Sequence, residues 1–311
     1  MSTGGGGKAV GAALGANLAI AAAKLVGFLI TGSASLAAEA VHSFADSGNQ
    51  VLLLVGSRRA RRDADERHPF GYGRERYFYA FAVAVVLFTL GALFAVYEGI
   101  DKIRHPHALE TPAVAVAILV FALLAEGLSF RTAVREAAPQ KGERGWLAYV
   151  RRATAPELPV VLLEDCAALL GLVLALLGVG LALLTGRPVF DGIGTLSIGL
   201  LLGAVAVLLA VEMKALLIGE SASPESVQAV RAALVDGTSV LRVIHLKTMH
   251  LGPEELLVAA KVAIAPGLAL PEVARAIDDA EARVRAVEPL ARSMYLEPTW
   301  TAPADGPTRS A

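Results

Sequence analysis

Apolar residues run almost unbroken through six stretches of this chain, roughly 9–31, 34–56, 78–103, 112–134, 157–185 and 190–217. Each reaches the roughly 20 residues that a helix needs to cross the hydrocarbon layer of a bilayer. Each holds few ionisable residues, and several are rich in the Gly and Ala common in membrane helices. Lys24 interrupts the first stretch and five more follow it, so it reads as a retained helix rather than a cleaved signal.

Beyond Ser221 the pattern changes. Ser223-Pro-Glu opens a helix with Pro in its first turn. Arg242–Leu251 and Leu256–Ala265 read as strands joined at Gly252-Pro253, Pro271–Val287 alternates at helical spacing, and Ala291–Glu297 reads as a last strand. The predicted architecture is a mainly α membrane protein. Six transmembrane helices are followed by a small cytoplasmic α+β domain in α-β-β-α-β, ferredoxin-like order. The expected divisions are a disordered N-terminus (1–8), a six-helix transmembrane domain (9–220), the α+β domain (221–300) and a disordered tail (301–311).

Basic residues give the expected orientation. The second connection holds Arg58, Arg59, Arg61, Arg62, Arg67, Arg74 and Arg76, and the fourth holds Arg131, Arg135, Lys141, Arg144, Arg151 and Arg152. The odd connections are nearly free of them. Positive residues favour the cytoplasmic side, so the even connections and both termini are expected there. The arginines can also meet anionic lipid headgroups.

Composition narrows the function. Of 311 residues, 55% are apolar and only 18% charged, which excludes a disordered chain. With 28 basic against 29 acidic residues there is no surplus to bind nucleic acid. The single cysteine, Cys166, excludes an internal disulfide and any CxxC metal or redox motif.

Ionisable groups inside a bilayer cost about 2.5–3.5 kcal/mol each on insertion scales, so they need a partner or a task. The second stretch holds Glu39, His42, Asp46 and Asn49, spaced 3, 4 and 3 apart, which stacks them on one helical face. The fifth holds the adjacent pair Glu164 and Asp165; neighbours on a helix diverge by about 100°, so one alone can point straight at the second helix. His and Asp at i and i+4 can grip one divalent ion, with a second helix completing the shell, and Asp165 is the obvious donor. The plainer alternative is a buried His–Asp hydrogen bond that fixes helix packing.

The stretch Gly32-Ser-Ala-Ser-Leu-Ala-Ala-Glu-Ala-Val-His-Ser-Phe-Ala-Asp-Ser-Gly-Asn-Gln50 resembles the second helix of the cation diffusion facilitators, the zinc-transporter family. His68-Pro-Phe-Gly-Tyr-Gly-Arg-Glu-Arg76 is similar to that family's following loop. The resemblance covers about residues 9–298 and is nearest to the subgroup of the mitochondrial and nuclear zinc-transporter homologue. It implies a homodimer that exports divalent cations, zinc first, with Mn, Fe, Co and Cd as further candidates, in exchange for protons and with no other cofactor. A bacterial inner membrane is the expected location.

By the same resemblance His42 and Asp46 are the helix-two ligands and Asp165 is a helix-five ligand. The departure is Val161, four residues earlier, where zinc exporters commonly carry His; valine cannot bind metal. Glu39, Glu164, Asn17 and Asn49 are additional candidates as ligands or proton relays, and Glu98 and Glu126 as further pairing or relay groups. Lys24 is expected to pair with a carboxylate in the bundle or reach an interface.

Two outlying sites are weaker. Asp65 and His68 match two ligands of a second zinc site in some family members, but Tyr72 stands where a third, usually His, would be; a loop positioned by hydrogen bonds is the favoured reading. In the C-terminal domain, His250 and Glu297 could form a weak site, and packed or solvated side chains are the favoured reading.

The expected mechanism is alternating access. Metal enters on deprotonated ligands, helices rock to expose it on the other side, and protons displace it from His42, since imidazole titrates near about 6.5 in water. The rivals are a non-transporting membrane metal sensor or scaffold, and an intramembrane hydrolase. The second lacks HExxH, GxSxG and paired GxGD-type aspartates.

Overall fold

A computed structural model describes residues 5–109, 111–143 and 145–300, with side chains described from Asn17 except at 140, 151 and 152. The expected disordered tail and residues 1–4 lie outside this range. Residues 5–8, expected to be disordered, form the first turn of helix α1 (Gly5–Thr31).

The chain divides into two compact units, residues 1–59 with 75–214 and residues 60–74 with 215–311. The helical unit contains α1, α2 (Ala34–Arg59), α3 (Glu75–Val86), a π-helical segment (Leu87–Leu93), α4 (Phe94–Arg104), α5 (Pro112–Lys141), α6 (Trp146–Arg152), α7 (Glu157–Thr185) and α8 (Val189–Ile218). Segments 75–104, 112–139, 157–185 and 189–218 are long and apolar enough to cross a membrane. α2 falls below that hydropathy because of the same polar face that makes it interesting. The exposed surfaces of these helices are studded with Leu, Val and Phe, including Leu124, Leu128, Leu177 and Leu184, as a lipid-facing surface requires.

Two features were not foreseen. Residues 87–93 form a π-helical segment, with hydrogen bonds spanning five residues instead of four, a local irregularity often placed at functional positions. The short helix α6 lies between α5 and α7, and Tyr149 and Val150 pack with Ala133, Ala137 and Leu162.

The start of α2 is fixed by a carboxylate from α8. Asp191 is buried and accepts hydrogen bonds from the Ala34 amide (2.9 Å), the Ser35 hydroxyl (2.7 Å) and the Ser33 hydroxyl (3.2 Å). An acidic group suits the positive end of a helix. The sequence placed this charge at the start of its own helix; the fold has it serving α2 as well. The tight turn before α2 needs the positive φ of Gly32 (66°), and the Lys102 ammonium donates to the Gly32 carbonyl at 3.0 Å. These contacts set the depth and rotation of the α2 polar face.

The second unit contains α9 (Pro224–Leu234), β1 (Val240–Gly252), β2 (Glu255–Ile264), α10 (Leu270–Val287) and β3 (Ser293–Thr299). The sheet order is β1-β2-β3, with β1 and β2 antiparallel and β2 and β3 parallel. Its core holds Val230, Leu234, Val240, Val258, Val262, Ala280 and Val284. The Ser223 hydroxyl caps α9 by accepting from the Ser226 amide at 3.1 Å. Loop 60–74 belongs to this unit: a Cβ on Gly73 would come within 2.7 Å of the Leu251 carbonyl oxygen, and Phe70 meets Tyr295 edge-on at 6.5 Å.

Candidate metal centre

Glu39, His42 and Asn49 are fully buried on α2, and the Asp46 side chain is 17% exposed. The His42 Nε2 lies 3.4 Å from Asp46 Oδ2. Both ring nitrogens of His42 lack a hydrogen-bond partner, as do Glu39 Oε1, Asp46 Oδ1 and Asn49 Oδ1. A buried polar atom left unsatisfied costs about 1–3 kcal/mol, more when charged, and native interiors hold few of them. Five on one helical face is a concentration that packing alone does not explain.

Helix α7 supplies the facing carboxylates in two directions. Glu164 is buried and its Oε1 accepts from Asn49 Nδ2 at 2.7 Å, so this residue looks at α2. Asp165 looks at α5, where its Oδ2 accepts from the Ser129 hydroxyl at 3.1 Å. Val161, one turn earlier, packs on the cluster around Ala133, Ala137 and Tyr149. The divergence of adjacent helical residues accounts for the split. Asp165 stays within electrostatic range of Asp46, as do Glu164, Glu126 and Lys24. Among the described residues no three His, Cys, Asp or Glu side chains are drawn together at metal-binding spacing. His42 and Asp46 are therefore adjacent, and Asp165 stands apart from them in this conformation.

Lys24 pairs within the bundle. Its ammonium donates to Glu39 Oε2 at 3.0 Å and to the Ser43 hydroxyl at 2.7 Å, and lies 3.7 Å from Glu126 Oε1. Glu39 keeps room for its other oxygen because residue 171 on α7 is glycine; a Cβ there would meet Oε1 at 2.6 Å. Asn17 is half-buried, seven residues ahead of Lys24. Sequence reasoning missed Ser43 and Ser129. Ser43 stands four residues after Glu39, on the same helical face, and could have been found by that spacing; Ser129 has no such signal.

In loop 60–74 the Asp65 carboxylate accepts from the Tyr72 hydroxyl at 2.6 Å and from the amides of His68 (2.7 Å) and Arg67 (3.0 Å). The Tyr72 bond, then the backbone bonds, hold its pKa below the ordinary carboxylate range. His68 stacks on Tyr72 at 4.4 Å between ring centres. The Asp65 oxygens are thus engaged by the loop itself.

The pairing of His250 with Glu297 needs correction within one chain. His250 is aligned with Leu256 and Glu297 with Lys261, so β2 lies between them and they stand five positions apart along it. Strand rise alone separates such positions by about 17 Å. Glu297 instead accepts from the Lys261 ammonium at 2.6 Å, which lowers its pKa. His250 is buried and desolvation lowers its pKa, against the opposing pull of the Glu288 carboxylate.

The cation efflux transmembrane domain family matches residues 10–218. The chain is 37% identical over 242 residues to a proton-coupled zinc antiporter, SLC30A9, mitochondrial, of Xenopus laevis, an alignment covering 77% of this chain and 43% of the relative. The human protein of that name is 35% identical over 231 residues (74% of this chain, 41% of the relative). Metal tolerance protein C4 of Arabidopsis thaliana is 30% identical over 248 residues (79% and 54%). The chain spans between about two-fifths and about half of the length of these curated relatives. The family match covers the helical unit that carries the polar face of α2, together with all four membrane-capable segments. This integral membrane protein belongs to the cation efflux, or cation diffusion facilitator, family.

Proposed function

We propose that the chain is a proton-coupled exporter of divalent cations, zinc first, that works as a homodimer by alternating access. The observation that carries this is the row of unpartnered polar atoms on α2, centred on the His42–Asp46 pair. A divalent ion there would satisfy His42 nitrogen and Asp46 oxygen together, the donor set zinc accepts. Asp165, Glu164 or both would complete the shell from α7 by a modest rotation, since Asp165 is already in electrostatic range of Asp46. Glu39, Asn49 and Asn17 are supporting or proton-handling groups. The relatives named as zinc antiporters and as a metal tolerance protein support this substrate class.

The ligands must be deprotonated to bind, so metal loading releases protons and acid on the far side ejects the ion. The Arg-rich even connections support a cytoplasmic location for both termini and metal movement out of the cytoplasm of a bacterial cell. The loop pair Asp65–His68 serves to shape its turn, and the C-terminal unit serves dimerisation rather than strong metal binding.

One observation favours a second reading, a membrane metal sensor that binds without transport: Val161, one turn before Asp165, packs on an apolar cluster and supplies no ligand to the shell. Purified protein in proteoliposomes, with an internal zinc dye and an imposed pH gradient, tests both. Zinc flux that follows the proton gradient supports the exporter. Saturable zinc binding with no flux selects the sensor.

A further inference from the structure

The helical interior holds four carboxylates near the His42–Asp46 pair: Glu39 on α2, Glu126 on α5, and Glu164 and Asp165 on α7. Among the described residues a single ammonium, from Lys24 on α1, pairs with these carboxylates. It is 0% exposed, donates hydrogen bonds to Glu39 and Ser43, and has the Glu126 carboxylate 3.7 Å away. A buried ammonium is stable only with such compensation. Glu39 is likewise 0% exposed and keeps one oxygen unpartnered against Gly171. Glu39 precedes His42 by three residues, one turn along the same helical face.

We propose that Lys24 is a tethered counter-cation that sets the charge of the transport site, and with it how tightly a divalent ion is held. By engaging Glu39 it removes one carboxylate from the ligand pool and one unit of negative charge from the surroundings of the ion. The metal is then left to His42, Asp46 and the α7 carboxylates, tight enough to load and loose enough to leave. Charge interactions in an interior of low effective dielectric are large enough for one unit to matter. The proposal rests on the reading of His42 and Asp46 as ligands and adds an affinity-setting residue outside that set.

The test is zinc binding by the full chain in detergent, measured by titration calorimetry on four variants, with folding checked by circular dichroism and size-exclusion chromatography. Lys24→Met frees Glu39 to ionise beside the incoming ion and should tighten binding about tenfold, a step that corresponds to 1.4 kcal/mol. Glu39→Gln has the opposite sign and should weaken it about tenfold. The double variant Lys24→Met/Glu39→Gln restores the wild-type charge and should return within about threefold of wild type. A purely structural ion pair would weaken binding in both single variants. That result, or unchanged affinity in both, overturns the proposal. Glu39 acting as a direct ligand would leave the double variant as weak as Glu39→Gln, which also overturns it. If Lys24→Met does not fold, the comparison of Glu39→Gln with the double variant still decides. His42→Ala tests the underlying reading separately: affinity lowered about 100-fold or more upholds it, and unchanged affinity refutes it whatever the Lys24 variants do.

Discussion

Ligand-type residues occur in both compact units, and their surroundings differ in one respect. In the second unit the carboxylates are occupied by their neighbours, Asp65 by Tyr72 and two amides, Glu297 by Lys261, Asp236 by the amides and hydroxyl of the turn that follows it, and His250 Nδ1 is an isolated open atom with no carboxylate beside it on its own strand. On α2 the corresponding atoms of His42, Asp46 and Asn49 are buried and left open. A satisfied carboxylate shapes a loop. An unsatisfied one in a membrane interior raises the energy of the empty protein and lowers the cost of taking in a cation. Residue type alone marks both regions equally; the difference lies in what the fold provides as partners.

The sharpest way to break this contrast is to remove the α2 pair. His42→Ala or Asp46→Ala should reduce zinc flux in proteoliposomes at least about 100-fold with the protein still folded, since each removes a ligand that no neighbour can replace. Near-normal flux in either variant would make the open atoms a packing defect. Next, Asp165→Asn and Glu164→Gln separate the two α7 carboxylates. Each should lower zinc affinity, by about tenfold or more for whichever residue binds the ion, while the other acts at longer range. Equal, small effects from both would remove α7 from the site.

In the second unit, variants should change stability and leave flux alone. Asp236 is held down to about 2 because the turn amides of Thr238, Val240 and Ser239 outweigh its desolvation. Its folded pKa lies below the usual carboxylate value of about 3.9. Its contribution is therefore complete above about pH 4 and lost as the pH falls towards 2. Asp236→Ala should lower the stability of this unit by about 1 kcal/mol at neutral pH, read from thermal melts of the full chain. His250 acts at higher pH. Burial lowers its folded pKa, so the unfolded chain takes the proton first and stability falls as the pH drops below about 6.5. His250→Phe should flatten that decline. Smallest of all, Tyr72→Phe should leave metal flux unchanged and loosen only the Asp65 turn.

Much of this was legible in the chain itself. The six apolar stretches follow from the length of their nearly unbroken apolar runs, because lipid surrounds the helices, and the α-β-β-α-β order follows from periodicity. The stacking of residues 39, 42, 46 and 49 followed from helical spacing. What spacing cannot fix is how a helix is rotated against its neighbours. Hence the choice between Glu164 and Asp165 needed the contacts to Asn49 and Ser129. The separation of His250 from Glu297 likewise needed the strand order, with β2 in the middle. The Asp191 contact to the start of α2 joins residues more than 150 positions apart, beyond any local pattern.

Zinc K-edge X-ray absorption on the loaded wild type and His42→Ala addresses the central claim directly. The account predicts a shell of nitrogen and oxygen at about 2.0–2.2 Å with one imidazole, whose outer-shell scattering disappears in His42→Ala. A sulfur contribution, or an imidazole signal that survives the substitution, would contradict it.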